Sequence, residues 1–274
     1  MFFRRRGGFT IIEMLTVIAI IGILASIIFP VITAAKRKAY QTQCMNNMHE
    51  IGVAFKLFVQ DEHRAPDFIA GPVERDGSGN AIPLDKSSGT INRQTVSLYP
   101  EYIKSVRILE CPLSLINQDH KEYTLTDVAE DPMFNYWANP TSPNTPGSIR
   151  SVLNNGSKFE LYLYDNYDSQ FPKDCPEREA HYSPLWFYVD LIQNPTYPDT
   201  DPDYVRQLWW RSPPEDTVVT WCSFHREAVG GVPKEGSKDI VLFLDGHTAL
   251  ISSKIVLEQG SGGWQNAWRV KQNQ

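Results

Sequence analysis

Residues 4–32 read RRRGGFTIIEMLTVIAIIGILASIIFPVI, and the order of charge, glycine and apolar residues in them decides what kind of chain this is. Arg4, Arg5 and Arg6 come first, Gly7-Gly8 follows, and a lone acid, Glu13, stands just inside an apolar run. From Met14 to Ala35 there is no charged residue, a stretch of 22. At about 1.5 Å per residue this covers roughly 33 Å of helix, enough for a bilayer hydrocarbon core of about 30 Å. No second run of this kind appears. An ordinary secretory signal would place small residues after its apolar stretch, whereas here the glycine pair stands before it. Glu13 is costly in lipid unless it finds a partner, so it is a functional candidate; the alternative is a carboxylate resting at the membrane interface.

Beyond that segment the chain has the composition of a folded protein. Of its 274 residues 42% are hydrophobic and 21% charged, which excludes a disordered chain and a polytopic membrane protein. The net charge of −6 and a pI near 5.5 give no global attraction to phosphate backbones, so no nucleic-acid partner is expected for the head. Lys36, Arg37 and Lys38 close the apolar run on its far side. Their charge equals that of Arg4, Arg5 and Arg6, so the positive-inside rule does not fix an orientation.

The helical period continues into polar sequence. Met45, Met48, Ile51, Phe55 and Phe58 or Val59 are three or four apart, an apolar stripe read as core. From Phe9 to about Asp61 such a helix is on the order of 80 Å long, with Pro30 able to kink it and Gly22 to loosen it. After Glu62 proline, glycine, serine and asparagine signal loops, including Pro66, Gly71, Pro72, Gly77, Gly79, Pro83 and Gly89. Leu98–Leu109 reads as a short helix leading through Cys111-Pro112 into an extended segment. Strands are expected at 159–165, 185–192, 217–224, 239–244 and 248–252, and long loops at 140–147, 171–184 and 194–214. Asp245-Gly246 between the last two strands is a strong hairpin signal, because a tight turn needs positive φ.

The segment RRRGGFTIIEMLTVIAIIGILASIIFPVI closely resembles the amino terminus of type IV prepilins and type II secretion pseudopilins. The resemblance implies an α+β, pilin-like fold: a long amino-terminal helix, membrane-spanning in its first half, packed on an antiparallel sheet. It divides the chain into a leader (1–8), a transmembrane and filament-core helix (9–35), an amphipathic second half of that helix (36–62) and a globular extracytoplasmic head (63–274). It further implies that a prepilin peptidase/methyltransferase cuts between Gly8 and Phe9 on the cytoplasmic face and N-methylates Phe9. Loss of the leader arginines would take the formal charge from −6 to −9. Glu13, fifth residue of the mature chain, would pair with the Phe9 amine of a neighbouring subunit and set axial register; a buried pair contributes little net stability but penalises arrangements that leave one charge alone. The partners implied are the peptidase, copies of this chain and other pilin-like subunits, an inner-membrane assembly platform and the lipid bilayer. The location implied is the bacterial inner membrane, single-pass with a cytoplasmic amino terminus, and then a filament.

The carboxyl end resembles the branch of this family that carries a processing-associated motif of His, a spacer and Asp-Gly. The matching residues are His225, Asp245 and Gly246, with nineteen residues between where that branch has nine. Gly230-Gly231-Val232-Pro233 to Gly236 reads as a loop inserted between two strands whose ends stay paired. QCMNNMHEIGVAFKLFVQDE and LYPEYIKSVRILECP are similar to the same branch, while 117–216 matches it less.

Other chemistry is weaker. Asp199, Asp201 and Asp203 alternate in PDTDPDY. Major pseudopilins hold calcium in an acidic loop, so calcium is an expectation here, but the run lacks the glycine and distal glutamate of an EF-hand and a solvated acidic turn is the favoured reading. No other cofactor is expected. Cys44, Cys111, Cys175 and Cys222 permit three complete disulfide pairings; Cys44, beside the apolar stripe, is at least as well read as a buried free thiol, and no Cys-x2-Cys or Cys-x2-His spacing is read as supporting a zinc site. His225, Asp245 and His247 lack a nucleophile elbow, an HExxH helix or a phosphate-cradling loop, so the expectation is a non-enzymatic subunit. The alternative is a membrane-tethered binding protein that does not polymerise, with Trp209-Trp210, Trp264 and Trp268 as contact residues.

Overall fold

The computed structural model describes residues 10–66, 68–70, 72–75, 78, 81–82, 85–88, 91–95, 97–114, 122–123, 159–161, 167–170, 179–182, 208 and 212–258. The chain forms two compact units, one ending at Thr42 and the other running from Gln43 to Gln274. The helix α1 (Ile11–Glu62) belongs to both.

In the first unit α1 exposes its apolar side chains on every face: Ile11, Ile18, Ile23, Phe29 and Ile32 are all open. This is the single helix among the described residues that is long and apolar enough to cross a membrane. The hydroxyls of its apolar run are satisfied within the helix itself. Thr16, Ser26 and Thr33 are the three hydroxyl residues of the run from Met14 to Ala35. Each donates to a carbonyl three or four residues back: Glu13 at 2.9 Å, Ile23 at 2.7 Å and Phe29 at 3.0 Å. A hydroxyl bonded in this way asks nothing of a solvent that cannot hydrogen-bond. Pro30 sits inside the helix, which runs on past it to Glu62.

In the second unit the helix acquires one buried face. Cys44, Met48, Ile51, Ala54, Phe55 and Phe58 are buried, at spacings of three or four. The expected stripe is therefore present, with Cys44 rather than Met45 at its head; Met45 and Val59 pack at its margins.

The described strands are β1 (Pro72–Arg75), β2 (Ala81–Ile82), β3 (Asp85–Ser88), β4 (Ile91–Thr95), β5 (Glu122–Tyr123), β6 (Phe159–Leu161), β7 (Ser169–Gln170), β8 (Glu179–Ala180), β9 (Val218–Cys222), β10 (Ala228–Val229), β11 (Val232–Pro233), β12 (Lys238–Phe243) and β13 (Thr248–Ser252), with a short helix α2 (Ser253–Glu258) at the end. One sheet has the order β2-β1-β6-β5 and a second β13-β12-β9; β3-β4, β7-β8 and β10-β11 are two-stranded pairs. All these named pairings are antiparallel. The fold is α+β, a long amino-terminal helix with antiparallel sheet.

The β13-β12-β9 sheet is covered on both faces. Ile240 and Leu242 of β12 join the core cluster that holds the α1 stripe, while Val241 and Phe243 point the other way into a cluster with Val218, Trp221 and Val256. The register of β9 on β12 shifts between Leu242 and Phe243, passing over Val219. The extra residue lets Val218 pair with Phe243 and share the cluster of Trp221, although strict alternation would put residues three apart on opposite faces.

Some expectations are corrected and others hold. Leu98–Leu109 is no α-helix: the hydrogen bonds from Tyr102 and Ile103 N–H both end on the Leu98 carbonyl, and a single 3-10 turn covers Val106–Leu109. Pro100 lies inside the segment and can supply no N–H. Cys111-Pro112 opens a turn closed by Ser114 N–H on the Cys111 carbonyl, and 115–121, where the extended segment is expected, lie outside the described residues. The stretch after Glu62 that composition marks as loop holds β1 to β4, because glycine and proline there punctuate short strands. The expected loop 171–184 contains β8. The inserted segment after His225 is a small hairpin, β10-β11, turning on Gly230 (φ 59°) and Gly231 (φ 79°), and β9 and β12 stay paired across it. Of the strand expected at 159–165, Phe159–Leu161 is described and is β6. The expected strand 185–192 and loop 140–147 lie outside the described residues, as does most of the expected loop 194–214.

Candidate functional site

Gly8 and Phe9 lie outside the described residues; Glu13 lies within them. Thr10 precedes the first turn of α1. Its hydroxyl oxygen accepts from the Glu13 N–H at 3.3 Å, and the Glu13 carboxylate accepts from the Thr10 N–H at 2.8 Å and its hydroxyl at 2.6 Å. This is a capping box, which satisfies two of the donors that a helix start leaves open. Within a single chain, then, Glu13 caps its own helix. The sequence carried that signal as Thr10-x-x-Glu13.

The processing-associated residues are not gathered at one point. Because β12 is antiparallel to β9, Cys222 pairs with Ile240 and Phe243 with Val218, so His225 and Asp245-Gly246 emerge at opposite ends of the sheet. Asp245-Gly246 makes the turn from β12 to β13, with Gly246 at φ 86° and its N–H on the Phe243 carbonyl. Asp245 Oδ1 accepts from the His247 N–H at 3.0 Å and contacts the His247 ring, which stacks on Phe243. The turn rests on α1. The His49 ring nitrogen meets the Gly246 carbonyl at 3.0 Å, Lys56 donates to the Asp245 carbonyl, and a Cβ on Gly52 would lie 3.2 Å from Gly246 Cα and 3.1 Å from Leu242. Asp-Gly at this place is thus a docking surface between sheet and helix. The Asp245 carboxyl is held below its ordinary range: partial burial would raise it, and the His247 contacts and Lys56 outweigh that.

At the other end of the sheet His225 joins three cysteines. Cys44 Sγ, Cys111 Sγ, Cys222 Sγ and the ligand nitrogen of His225 all lie within 4.8 Å of one another. The three cysteines are buried and free, and Cys111 Sγ is 3.4 Å from His225 Nε2. Each comes from a different part of the fold: Cys44 from α1, Cys111 from the turn after the 3-10 segment, and Cys222 from the last residue of β9. His225 lies in the following turn, which Arg226 N–H closes on the Ser223 carbonyl. Burial pushes the Cys44 and Cys111 thiols well up. Burial acts on Cys222 in the same direction, but its neighbours Cys111, Cys44 and His225 hold it well below the usual thiol range. The expectation of no zinc-type spacing overlooks Cys222-Ser223-Phe224-His225, a Cys-x2-His pair; the other two members are distant in sequence and could be joined to it only by the fold.

Next to this cluster is a buried ionic network that no sequence pattern announced. Arg226 donates to Glu179 through Nη1 at 2.6 Å and Nη2 at 3.2 Å, and to Asp239 through Nε at 3.1 Å and Nη2 at 2.6 Å. Ser253 donates to Asp239 at 2.7 Å, and the His181 ring lies 3.1 Å from Glu179 and 2.7 Å from the Trp221 carbonyl. Burial alone would raise Glu179; His181 and Arg226 instead hold it at about 2. Burial pushes Asp239 up against the pull of Arg226 and Ser253.

Asp199, Asp201, Asp203, Cys175, Trp209, Trp210, Trp264 and Trp268 lie outside the described residues.

Residues 3–29 match the prokaryotic N-terminal methylation motif. The chain is prepilin-like at its amino terminus. It is similar to type II secretion system core protein G of Aeromonas hydrophila, 36% identical over 63 residues, which are 23% of this chain and 44% of that protein. It is also similar to the type IV major pilin protein PilA of Myxococcus xanthus, 38% identical over 64 residues, 23% of this chain and 29% of that one. Core protein G of Escherichia coli is 32% identical over 62 residues, 23% and 43% of the two chains. These prepilin-like alignments span less than half the length of each of those relatives. No solved structure gives a significant match.

Proposed function

We propose that this prepilin-like chain is a structural, non-enzymatic filament subunit, anchored in the inner membrane by the first half of α1, cut and N-methylated between Gly8 and Phe9, and assembled with its own kind and other pilin-like subunits in a secretion pseudopilus or a surface pilus. One observation carries this reading. A methylation-type leader junction is joined directly to a helix whose exposed apolar side chains and internally bonded hydroxyls suit it to lipid or to other such helices, and the helix continues without a break into a folded head. A cleaved signal would leave no such helix. In this reading Glu13 exchanges its capping bonds to Thr10 for the Phe9 amine of a neighbour during assembly, and identical subunits meeting head to tail form an open helical polymer.

The test expresses wild type, Glu13→Val and Glu13→Gln as the only copy. Mass spectrometry of the mature terminus and quantitation of sheared filaments are the readouts. A mature chain beginning with N-methyl-Phe9 is expected, with both variants inserted in the membrane but at least about tenfold poorer in filaments, a change of about 1.4 kcal/mol or more. Gln keeps a side chain able to close the capping box and lacks the charge. Normal filament yield from Glu13→Gln would leave Glu13 a cap and no more. A chain that begins at Met1 or near Ala35, or that never leaves the membrane fraction, would overturn the filament reading in favour of a tethered protein.

A further inference from the structure

We infer that Cys44, Cys111, Cys222 and His225 form a closed site of three thiolates and one imidazole for a structural zinc ion, a site independent of whether the chain polymerises. The four ligand atoms lie within 4.8 Å of one another. Zinc–sulfur bonds of about 2.3 Å and a zinc–nitrogen bond of about 2.0–2.1 Å at tetrahedral angles place sulfur and nitrogen about 3.6 Å apart. Cys111 Sγ and His225 Nε2 are 3.4 Å apart. A thiolate-rich set with one imidazole selects zinc by ligand type, and four protein ligands leave no open position for water or substrate, which makes the site structural rather than catalytic.

The surroundings of the sulfurs point the same way. Each has a group beside it that can donate to a thiolate: the Tyr167 hydroxyl at 3.1 Å from Cys44, the Leu113 N–H at 3.5 Å from Cys111, and the Gln170 amide nitrogen at 3.5 Å from Cys222. Gln170 is itself fixed, because its amide oxygen accepts from the Ser223 N–H at 2.7 Å and hydroxyl at 3.0 Å. Three thiolates with one divalent ion leave a unit of negative charge, and donors to sulfur are what a buried anion of that kind requires. Tyr167 and Gln170 are fully buried, so their polar atoms are committed to the cluster and its supports. An apolar core would have had no use for them.

Such an ion would tie α1 to the end of β9 and to the turn at Cys111, three regions whose ligands are separated by 67 and 111 residues in sequence. His225 then has a role that the hairpin at Asp245-Gly246, at the other end of the sheet, does not share.

The experiment uses the full chain, purified from membranes in detergent without chelator or added thiol. Elemental analysis should find about one zinc per chain, released by a mercurial that titrates thiols, and replacement by cobalt should give the d–d and thiolate charge-transfer bands of a tetrahedral site. Alkylation of the denatured, unreduced chain should modify Cys44, Cys111 and Cys222 alike. His225→Ala should lower zinc by about tenfold or more, while His225→Cys, which completes an all-thiolate site, should retain it. If His225→Ala does not fold, the wild-type metal content and thiol state still decide. Zinc at less than about a tenth of the chain concentration, iron or copper in its place, or any of the three cysteines alkylated only after reduction would overturn the assignment. None of these readings depends on filament formation.

Discussion

The two halves of α1 obey the same backbone geometry and opposite rules of burial. Up to Thr42 the helix exposes its large apolar residues, Phe29 at 70% and Ile27 at 61%, and the side-chain hydrogen bonds of Thr10, Thr16, Ser26, Thr33, Lys38 and Thr42 run to residues three or four away. After Gln43 a single face is sealed, with Met48, Ile51 and Phe58 at 0%, and the polar contacts reach across the fold, from Cys44 to Tyr167, His49 to Gly246 and Lys56 to Asp245. The difference teaches that helix formation and hydrophobic burial are separate requirements. The first half meets the former alone and leaves its apolar area, worth about 25 cal/mol per Å² removed from water, uncovered. The second half spends its stripe on its own head.

The largest expected effect breaks the comparison most directly. Phe55 is buried and meets the Tyr182 ring edge-on, with centroids 6.4 Å apart, so Phe55→Ala should lower the stability of the folded head by about 3–5 kcal/mol. Phe29→Ala, the same change on the exposed half, should leave head melting within about 0.5 kcal/mol of wild type. Near-ultraviolet circular dichroism of the detergent-solubilised chain, followed through thermal unfolding, reads both. Equal losses would mean that the exposed half is packed after all.

A second prediction tests the long-range polar contacts of the second unit by acid. Glu179 is held at about 2 in the fold against an ordinary value of 4.5. A carboxyl with its folded pKa depressed contributes stability that is complete above the ordinary value and disappears as pH falls through the folded one. At about 1.4 kcal/mol per unit the ceiling is roughly 3 kcal/mol, lost between about pH 4.5 and 2. Asp239, pushed up by burial, works in the opposite sense and makes the net loss smaller. Glu179→Gln should abolish most of the slope in this window and, by leaving Arg226 with one carboxylate fewer, cost about 3 kcal/mol at pH 7. Melting temperatures of the two proteins from pH 7 to 2.5 decide; parallel curves would remove Glu179 as the source.

Legibility in the sequence follows the same division. The first half of α1 could be read almost residue by residue, since 22 uncharged residues in a row have the length and composition of a membrane span without reference to anything distant. The stripe after Gln43, β12, β13 and the Asp-Gly turn were legible because period and turn chemistry are local. The short strands β1 to β4 were not, as two to five residues carry too little pattern to outweigh the glycines and prolines between them. Nor was the cluster of Cys44, Cys111, Cys222 and His225, apart from its Cys-x2-His pair, or the meeting of Arg226 with Glu179 and Asp239. Such groupings are made by tertiary pairing, and no spacing encodes them. Glu13 is the intermediate case: the capping box was written in Thr10-x-x-Glu13, but a charge beside an apolar run draws attention to the membrane first.

The smallest effect is the sharpest, because it sets two glycines of one helix against each other. Replacing glycine by alanine in a helix interior gains up to about 1 kcal/mol of intrinsic propensity wherever the new methyl has room. At Gly22 it has room, with nothing beyond its chain neighbours and the helix's own backbone within 4 Å of the added carbon. At Gly52 it meets the Leu242 methyl at 3.1 Å and the Gly246 Cα at 3.2 Å. The first of these neighbours can rotate away; the second is backbone in a turn whose positive φ fixes it. Overpacking of this kind costs about 1–3 kcal/mol, which exceeds the propensity gain. Gly52→Ala should therefore destabilise the head by about 1 kcal/mol, and Gly22→Ala should leave its melting unchanged while making the first half of the helix no less stable. Thermal unfolding of the two single variants beside wild type measures the difference in sign. A stabilised Gly52→Ala head would mean that the Asp245-Gly246 turn yields to the helix, and that the close approach of helix and turn is not what the glycine is there to allow.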